Sequence, residues 1–319
     1  MIGRVAGAAV VLLAAVGSTG AYAQAPQPSD ALIGRWDLVV ERGAQTAPSW
    51  LEVERSGTAT LVGQFVGSGG SARPIAKIEF ADGTFRFAIP PQWESNPKDI
   101  TFEGRVEGER ISGSTTMGDG QVVKWTGTRA PALRRAGKPV FGEPITLLAR
   151  ASLEGWQPHG RGESQWSVKD GVLVNARSGA NLVTTRTFED FKLHVEFRVP
   201  KGSNSGIYLR GRHELQIDDA YGLEPSSHHL GGLYGFIAPS EAAARPAGEW
   251  QTMDVTLVGR MLTLTLNGTM VICNREIPGI TGGALDSKEG EPGPLYLQGD
   301  HGPVEYRNIV LTPVKGTAR

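Results

Sequence analysis

The sequence predicts an all-β protein: a small N-terminal β-barrel or sandwich followed by a two-sheet jelly-roll sandwich. Three observations carry this. Gly (43) and Pro (20) are abundant in the 319 residues, and short Val/Ile/Thr/aromatic runs recur between them. Turn dipeptides punctuate those runs, among them Asp82-Gly83, Asp119-Gly120 and Asp170-Gly171. Such pairs supply the positive φ that tight hairpins need. No long amphipathic helical pattern occurs outside the N-terminus, which leaves strands as the repeating unit.

Taken in order, the chain opens with Arg4, the small apolar run Val5–Val16 and then Ala21-Tyr22-Ala23. This is the layout of a secretory signal peptide, expected to span residues 1–23. The run is short and Gly/Ala-rich for a membrane span, so the mature chain is expected to carry no such span, to be exported and to work in the periplasm. Gln24–Ser29 reads as a linker within the first unit, residues 24–130. Candidate strands there are Gly34–Glu41, Trp50–Arg55, Thr58–Phe65, Ala76–Phe80, Thr84–Ile89, Ile100–Val106, Arg110–Thr116 and Gln121–Arg129. Short strands at this spacing suit a closed barrel or sandwich. The stretch holds no histidine and only scattered carboxylates, so it reads as an accessory or sugar-docking module, with Trp50 and Trp93 as either core residues or stacking platforms.

Residues 131–139 are a Pro/Ala/basic linker. The second unit, 140–315, opens with strands at Leu153–Trp156 and Gln165–Val174. It continues through Asn181–Thr185, Lys192–Val199, Gly206–Arg210, Glu214–Asp218, Trp250–Val258, Leu262–Leu266, Met270–Ile272, Gly293–Gln298 and Val304–Leu311. Repeated alternation over this many strands fits two packed sheets. Ala220–Gly248 interrupts them, and a loop of this length within a compact unit is usually functional. The one cysteine, Cys273, cannot form an internal disulfide and is expected to be a buried thiol.

Side chains on a strand alternate faces. Leu215 and Ile217 therefore oppose Glu214, Gln216 and Asp218. His194, Glu196 and Arg198 share a face, as do Tyr208 and Arg210, and Tyr296, Gln298 and Asp300. Placed on neighbouring strands, these would make a polar patch suited to sugar hydroxyls, with carboxylates available as acid and base. A water-wetted outer face would show the same pattern. With 32 Lys+Arg against 33 Asp+Glu, nothing suggests nucleic acid or an anionic membrane as partner. Serine-hydrolase, nucleotide-loop and paired-cysteine zinc motifs are missing from the sequence. No cofactor is expected; His228-His229 could supply a metal ligand, but no carboxylate spacing accompanies them, so the metal ligands are unknown and a divalent metal stays open. Nothing fixes an oligomeric state.

The segments PKGSNSGIYLRGRHELQIDDAYG (200–222), GGLYGFIAPSEAAARPAGEWQTMDVTLVG (231–259), LNG (266–268) and GPLYLQGDHGPVEYRNI (293–309) resemble the 3-keto-disaccharide hydrolase domain family. The resemblance runs from about Phe188 to Leu311 and more loosely back to Phe141. It implies a concanavalin-like β-sandwich, similar to lectins and glucanases, and a carbohydrate substrate. Arg210, Glu214, Gln216, Asp218, Gln298 and His301 fall in the matching blocks. The implied activity is cleavage of 3-keto-glycosides or 3-keto-disaccharides. A C3 ketone acidifies the C2 proton; a base removes it, the C1 oxygen leaves, and water adds back. On this expectation Glu214 or Asp218 is the base, Arg210 holds the enolate oxygen and His301 is the acid. Gln216, Gln298, Tyr208, Glu196, Trp250 and His228 are the candidate substrate contacts. A lectin-like binding protein or a conventional two-carboxylate glycosidase would suit the same resemblance.

Overall fold

In the computed structural model, the described residues are 27–318 apart from 93, 95 and 96. The expected signal peptide and Trp93 therefore lie outside them. Eight strands form a closed barrel: β1 (Gly34–Arg42), β2 (Gln45–Ser56), β3 (Thr60–Val66), β4 (Arg73–Ala81), β5 (Thr84–Ile89), β6 (Ile100–Glu107), β7 (Arg110–Thr116) and β8 (Val122–Arg129). Each pairs with the next, and β1 also pairs with β8, so no edge remains open. Alternation sends Phe85, Phe87 and Ile89 of β5 inward against Trp36, Phe65 and Trp125. At the β4–β5 turn Asp82 and Gly83 have φ of 49° and 74°, the two positive values of a type I′ turn.

The second unit is a jelly-roll-like sandwich. One sheet runs β12 (Trp166–Lys169), β13 (Val172–Asn175), β22 (Val304–Ala318), β15 (Phe191–Arg198), β18 (Gln251–Val258), β19 (Met261–Leu266), β20 (Thr269–Glu276). The short strands β9 (Lys138–Phe141) and β10 (Ile145–Thr146) also pair with β22. The other sheet is five-stranded: β11 (Trp156–His159), β14 (Asn181–Phe188), β21 (Gly293–Leu297), β16 (Asn204–Leu209), β17 (His213–Asp218). Leu215 and Ile217 of β17 and Leu295 and Leu297 of β21 face inward and meet Leu193, Val195 and Phe197 of β15 in one core. Burying each such side chain stabilises by about 1.5–3 kcal/mol.

Two irregular segments then cover the outer face of the five-stranded sheet. In the first, Gly231–Tyr234 runs beside β17: Gln216 N donates to Gly232 O (2.9 Å), Gly231 N to Gln216 O (3.1 Å) and Tyr234 N to Glu214 O (2.9 Å). These bonds occupy an edge strand that would otherwise be open. The second is the strap after β20, where Thr281 N donates to Arg212 O (2.9 Å) and Glu214 N to Thr281 Oγ1 (2.9 Å). Cys273, expected to be buried, is exposed. Register shifts between β19 and β20 turn both Val271 and Ile272 inward and leave Cys273 outside.

Trp50 is fully buried, but outside the barrel's own core. It packs with Val66 against Ile280 and Ala284 of the strap, and Phe236 meets it edge-on at 5.5 Å. It is an anchor between barrel and sandwich, and no stacking platform for a sugar. Among the described residues no helix is long and apolar enough to cross a membrane.

Candidate functional site

The site builds outward from Glu214. Register pairs Tyr208 with Glu214, and Tyr208 with Tyr296, so all three project from one face of three adjacent strands. The two tyrosine rings stack at 4.3 Å. Tyr208 Oη donates to Glu214 Oε2 at 2.8 Å and lies 3.0 Å from the strap carbonyl of Gly282. Space for this is made by glycine. A Cβ on Gly206 would strike Glu214 Oε1, and a Cβ on Gly283 would strike the Tyr208 hydroxyl.

Burial pushes the Glu214 carboxyl up to about 8, against the pull of the Tyr208 hydrogen bond and the His301 charge. A buried carboxyl without a firm cationic partner favours its neutral form. Tyr208 and Tyr296 are raised as well, first by burial and then by neighbouring carboxylates, so both hydroxyls stay protonated.

Beyond Tyr296 the chain turns through Gln298 to Asp300 and His301. His301 Nδ1 and Asp300 Oδ1 lie 2.7 Å apart. That bond lowers the Asp300 carboxyl and raises the imidazole. The turn is braced from beneath. Asn181 Oδ1 accepts from Gly299 N (2.7 Å) and Asp300 N (3.2 Å), and Asn175 Nδ2 donates to the carbonyls of Gly299 and Gly302 (both 2.9 Å). Gln298 is buried, and among the described residues nothing donates a hydrogen bond to its Oε1. An unsatisfied buried acceptor is costly and calls for a donor; a sugar hydroxyl is one. Gln216 donates to Asn204 Oδ1 at 3.3 Å on the same face.

The structure thus brings Glu214, Tyr208, Gln216, Gln298 and His301 together. Other expected residues stand apart. Asp218 accepts from His229 Nδ1 (2.9 Å) and Leu230 N (2.7 Å), so it ties down the covering loop. Arg210 does not share a face with Tyr208. It sits at φ 54° in the β16–β17 turn, where period-two alternation ends, and its guanidinium is buried against the Gly259 carbonyl. It cannot reach an enolate over Glu214. Glu196 and Trp250 lie with the other sheet. Glu196 accepts from Arg307 Nε (2.6 Å) and Asn308 Nδ2 (2.5 Å), and Trp250 lies under Arg198 and Arg307 at 4.8 and 4.0 Å. Their strands are not neighbours of β17, so the expected single patch is in fact two surfaces. His228 is exposed on the covering loop, edge-on to Tyr234 at 5.1 Å. Among the described residues no group of three or more His, Cys, Asp or Glu is placed to hold a metal ion.

Sequence reasoning missed Asn181, Tyr234 and His159, the last edge-on to Tyr296 at 6.3 Å. Tyr234 stands within a segment that carries the resemblance, which was the available signal; Asn181 and His159 gave none.

Among known proteins, the chain is similar to a curated 3-keto-disaccharide hydrolase of Bacteroides thetaiotaomicron, at 25% identity over 35% of this chain and 51% of the relative. The chain thus spans about half the length of that relative. A solved structure from Parabacteroides distasonis, provisionally described as a glycosyl hydrolase, is similar at 27% identity with a TM-score of 0.45, covering 53% of this chain and 82% of that one. The β-glucanase of Bacillus licheniformis is similar at 12% identity with a TM-score of 0.33, covering 58% of this chain and all of its own. The family model for the 3-keto-alpha-glucoside-1,2-lyase-like domain matches residues 143–312, more than half of the chain and the whole of the site around Glu214. The chain belongs to that family.

Proposed function

We propose that this protein is an exported enzyme that cleaves the glycosidic bond of 3-keto-glycosides by removing the C2 proton, expelling the C1 oxygen and adding water. The observation that carries the reading is the pairing of two proton-handling groups across one polar sheet face. Glu214 is buried and inclined to stay neutral; His301 is exposed and oriented by Asp300. Burial keeps a proton on Glu214, which suits it to act as acid, and the Asp300 contact orients His301 and makes it the stronger base.

These surroundings favour the reverse of the roles expected from the sequence. The His301 imidazole, turned by Asp300, is the base at C2. Glu214 is the acid. Tyr208 donates to its Oε2, so its own proton sits on Oε1 and passes to the departing glycosidic oxygen. In the absence of Arg210, the enolate oxygen at C3 is met by neutral donors, the Tyr296 hydroxyl and the Gln298 amide. Water then adds to the unsaturated sugar for net hydrolysis.

The test is to incubate the protein with a 3-keto-disaccharide and, separately, with its unoxidised parent. Cleavage of the keto form alone is expected, with deuterium at C2 washed out into solvent. Cleavage of the parent with C2 deuterium retained would replace elimination with direct hydrolysis. Binding of both without turnover would make the protein a lectin-like binder.

A further inference from the structure

We infer that the barrel completes the site: a cleft between barrel and sandwich binds the sugar that leaves. The inference rests on the proposed function for the identity of the ligand, and on separate residues for its location. The cleft, about 520 Å³, is lined by Gly69, Gly70, Ser71 and Gln92 of the barrel and by His228 and Tyr234 of the sandwich loop. That volume lies within the usual range of small-molecule sites.

Its position follows from the order of elements across the sheet. From β21, with Tyr296 and Gln298, the face continues through Tyr208 on β16 to Glu214 on β17 and then to the Gly231–Tyr234 segment. A keto-sugar held between His301 and Glu214 has its leaving oxygen on the Glu214 side. The next group on that side is Tyr234, close enough for the Glu214 charge to raise its hydroxyl, though burial raises it more. Past Tyr234 lies the barrel wall.

That wall is a built surface. Gln92 Nε2 donates to Ser71 Oγ (2.6 Å), and Ser71 N donates to Gln92 Oε1 (3.2 Å). Gly283 N of the strap donates to Ser68 O (3.1 Å). A Cβ on Gly282 would strike the Gly70 carbonyl, and one on Gly235 would strike Ser71, so barrel and sandwich meet here backbone to backbone. Among the described residues, the six that line the cleft offer an amide, a hydroxyl, a phenol, an imidazole and peptide groups, and include no carboxylate, lysine or arginine. A neutral polyhydroxylated ligand matches that set; a phosphate or uronate would lack a counter-charge.

The test uses the full chain and two substrates, a 3-keto-disaccharide and methyl 3-keto-glucoside, whose leaving group is too small to reach the cleft. Gln92→Ala and His228→Ala, both exposed positions, should raise KM for the disaccharide about fivefold more than for the methyl glycoside, as losing one hydrogen bond would. An equal effect on both substrates, or none on either, overturns the inference. A second readout does not depend on turnover. The imidazole resonances of His228 should shift on titration with the unoxidised disaccharide and stay still with methyl glucoside; resonances unmoved by the disaccharide also overturn it. A wild-type protein that cleaves neither keto substrate would instead sink the proposed function, and the His228 titration would still decide the cleft.

Discussion

Glu214 shows how one residue is tuned by its neighbours, and its tuning works against the fold. Its folded value of about 8 lies above the 4.5 of a free glutamate, so the folded protein holds a proton that the unfolded chain releases. Stability from this group is complete below about pH 4.5 and is lost as pH rises towards about 8. Glu214→Gln keeps the shape and removes the ionisable group. It should lower kcat by roughly 10²–10⁴-fold, the usual contribution of a positioned acid, while raising the melting temperature by a few degrees at pH 8 and hardly at pH 5. A variant both inactive and less stable at pH 8 would contradict this account. The pH–rate profile checks the partners. On the proposed roles, activity requires His301 unprotonated and Glu214 protonated, so the acidic limb would belong to His301 and the alkaline limb to Glu214. Asp300 raises His301 through their 2.7 Å contact; Asp300→Asn should therefore move the acidic limb to lower pH. Movement of the alkaline limb instead would restore the opposite roles, with Glu214 as base.

At the scale of elements, the β16–β17 hairpin and its two covers decide whether Glu214 is placed correctly. Gly206 lies on β16 opposite Gln216, and its lack of a side chain is what leaves room for Glu214 Oε1. Gly206 does not adopt a positive φ, so Gly206→Ala strains no backbone and acts by displacing the carboxylate. We expect a loss of at least tenfold in kcat with a melting temperature changed far less, since a small displacement of an acid forfeits much of its about 10²–10⁴-fold contribution. Unchanged kcat would show that Oε1 is not the working oxygen. The strands themselves were legible because hairpins are local. Asp82-Gly83, Asp170-Gly171 and Asn267-Gly268 all adopt paired positive φ, and the runs between such turns became strands. Which strands lie together was not legible. The face of His194, Glu196 and Arg198 and the face of Glu214, Gln216 and Asp218 alternate alike, and only long-range pairing puts β15 in one sheet and β17 in the other. Arg210 was misplaced for a local reason: alternation was extended one residue into a left-handed turn. Asn181 brings Asp300 into position from 119 residues away along the chain, a contact no spacing rule reveals.

For the whole molecule, the packing between barrel and sandwich bears on whether the sandwich can work without the barrel. The strap that contacts Tyr208 through Gly282 is held on its other side by the barrel. Trp50 and Val66 cover Ile280 and Ala284, Ser287 Oγ donates to Leu38 O (2.5 Å), and Arg35 pairs with Glu276 (2.5 Å). Charges are buried there as well. Asp37 of β1, Glu289 of the strap and the Arg260 guanidinium meet out of water, and burial with the Glu289 charge pushes Asp37 up to about 8. Joined in this way, the two units should unfold together. Calorimetry on the full chain should show one transition, and Trp50→Ala, losing about 3–5 kcal/mol of packing, should split it into two. The same variant should lower kcat although Trp50 touches neither Glu214 nor His301, because a loosened strap withdraws the Gly282 carbonyl from the Tyr208 hydroxyl. Asp37→Asn separates packing from charge. It leaves the apolar contacts in place and removes a group whose folded form keeps a proton, so it should stabilise the joint transition above about pH 4 and most strongly near pH 8. Two transitions in the wild-type chain, or a Trp50→Ala protein that melts in two steps yet turns over normally, would mean that the sandwich holds its strap without the barrel.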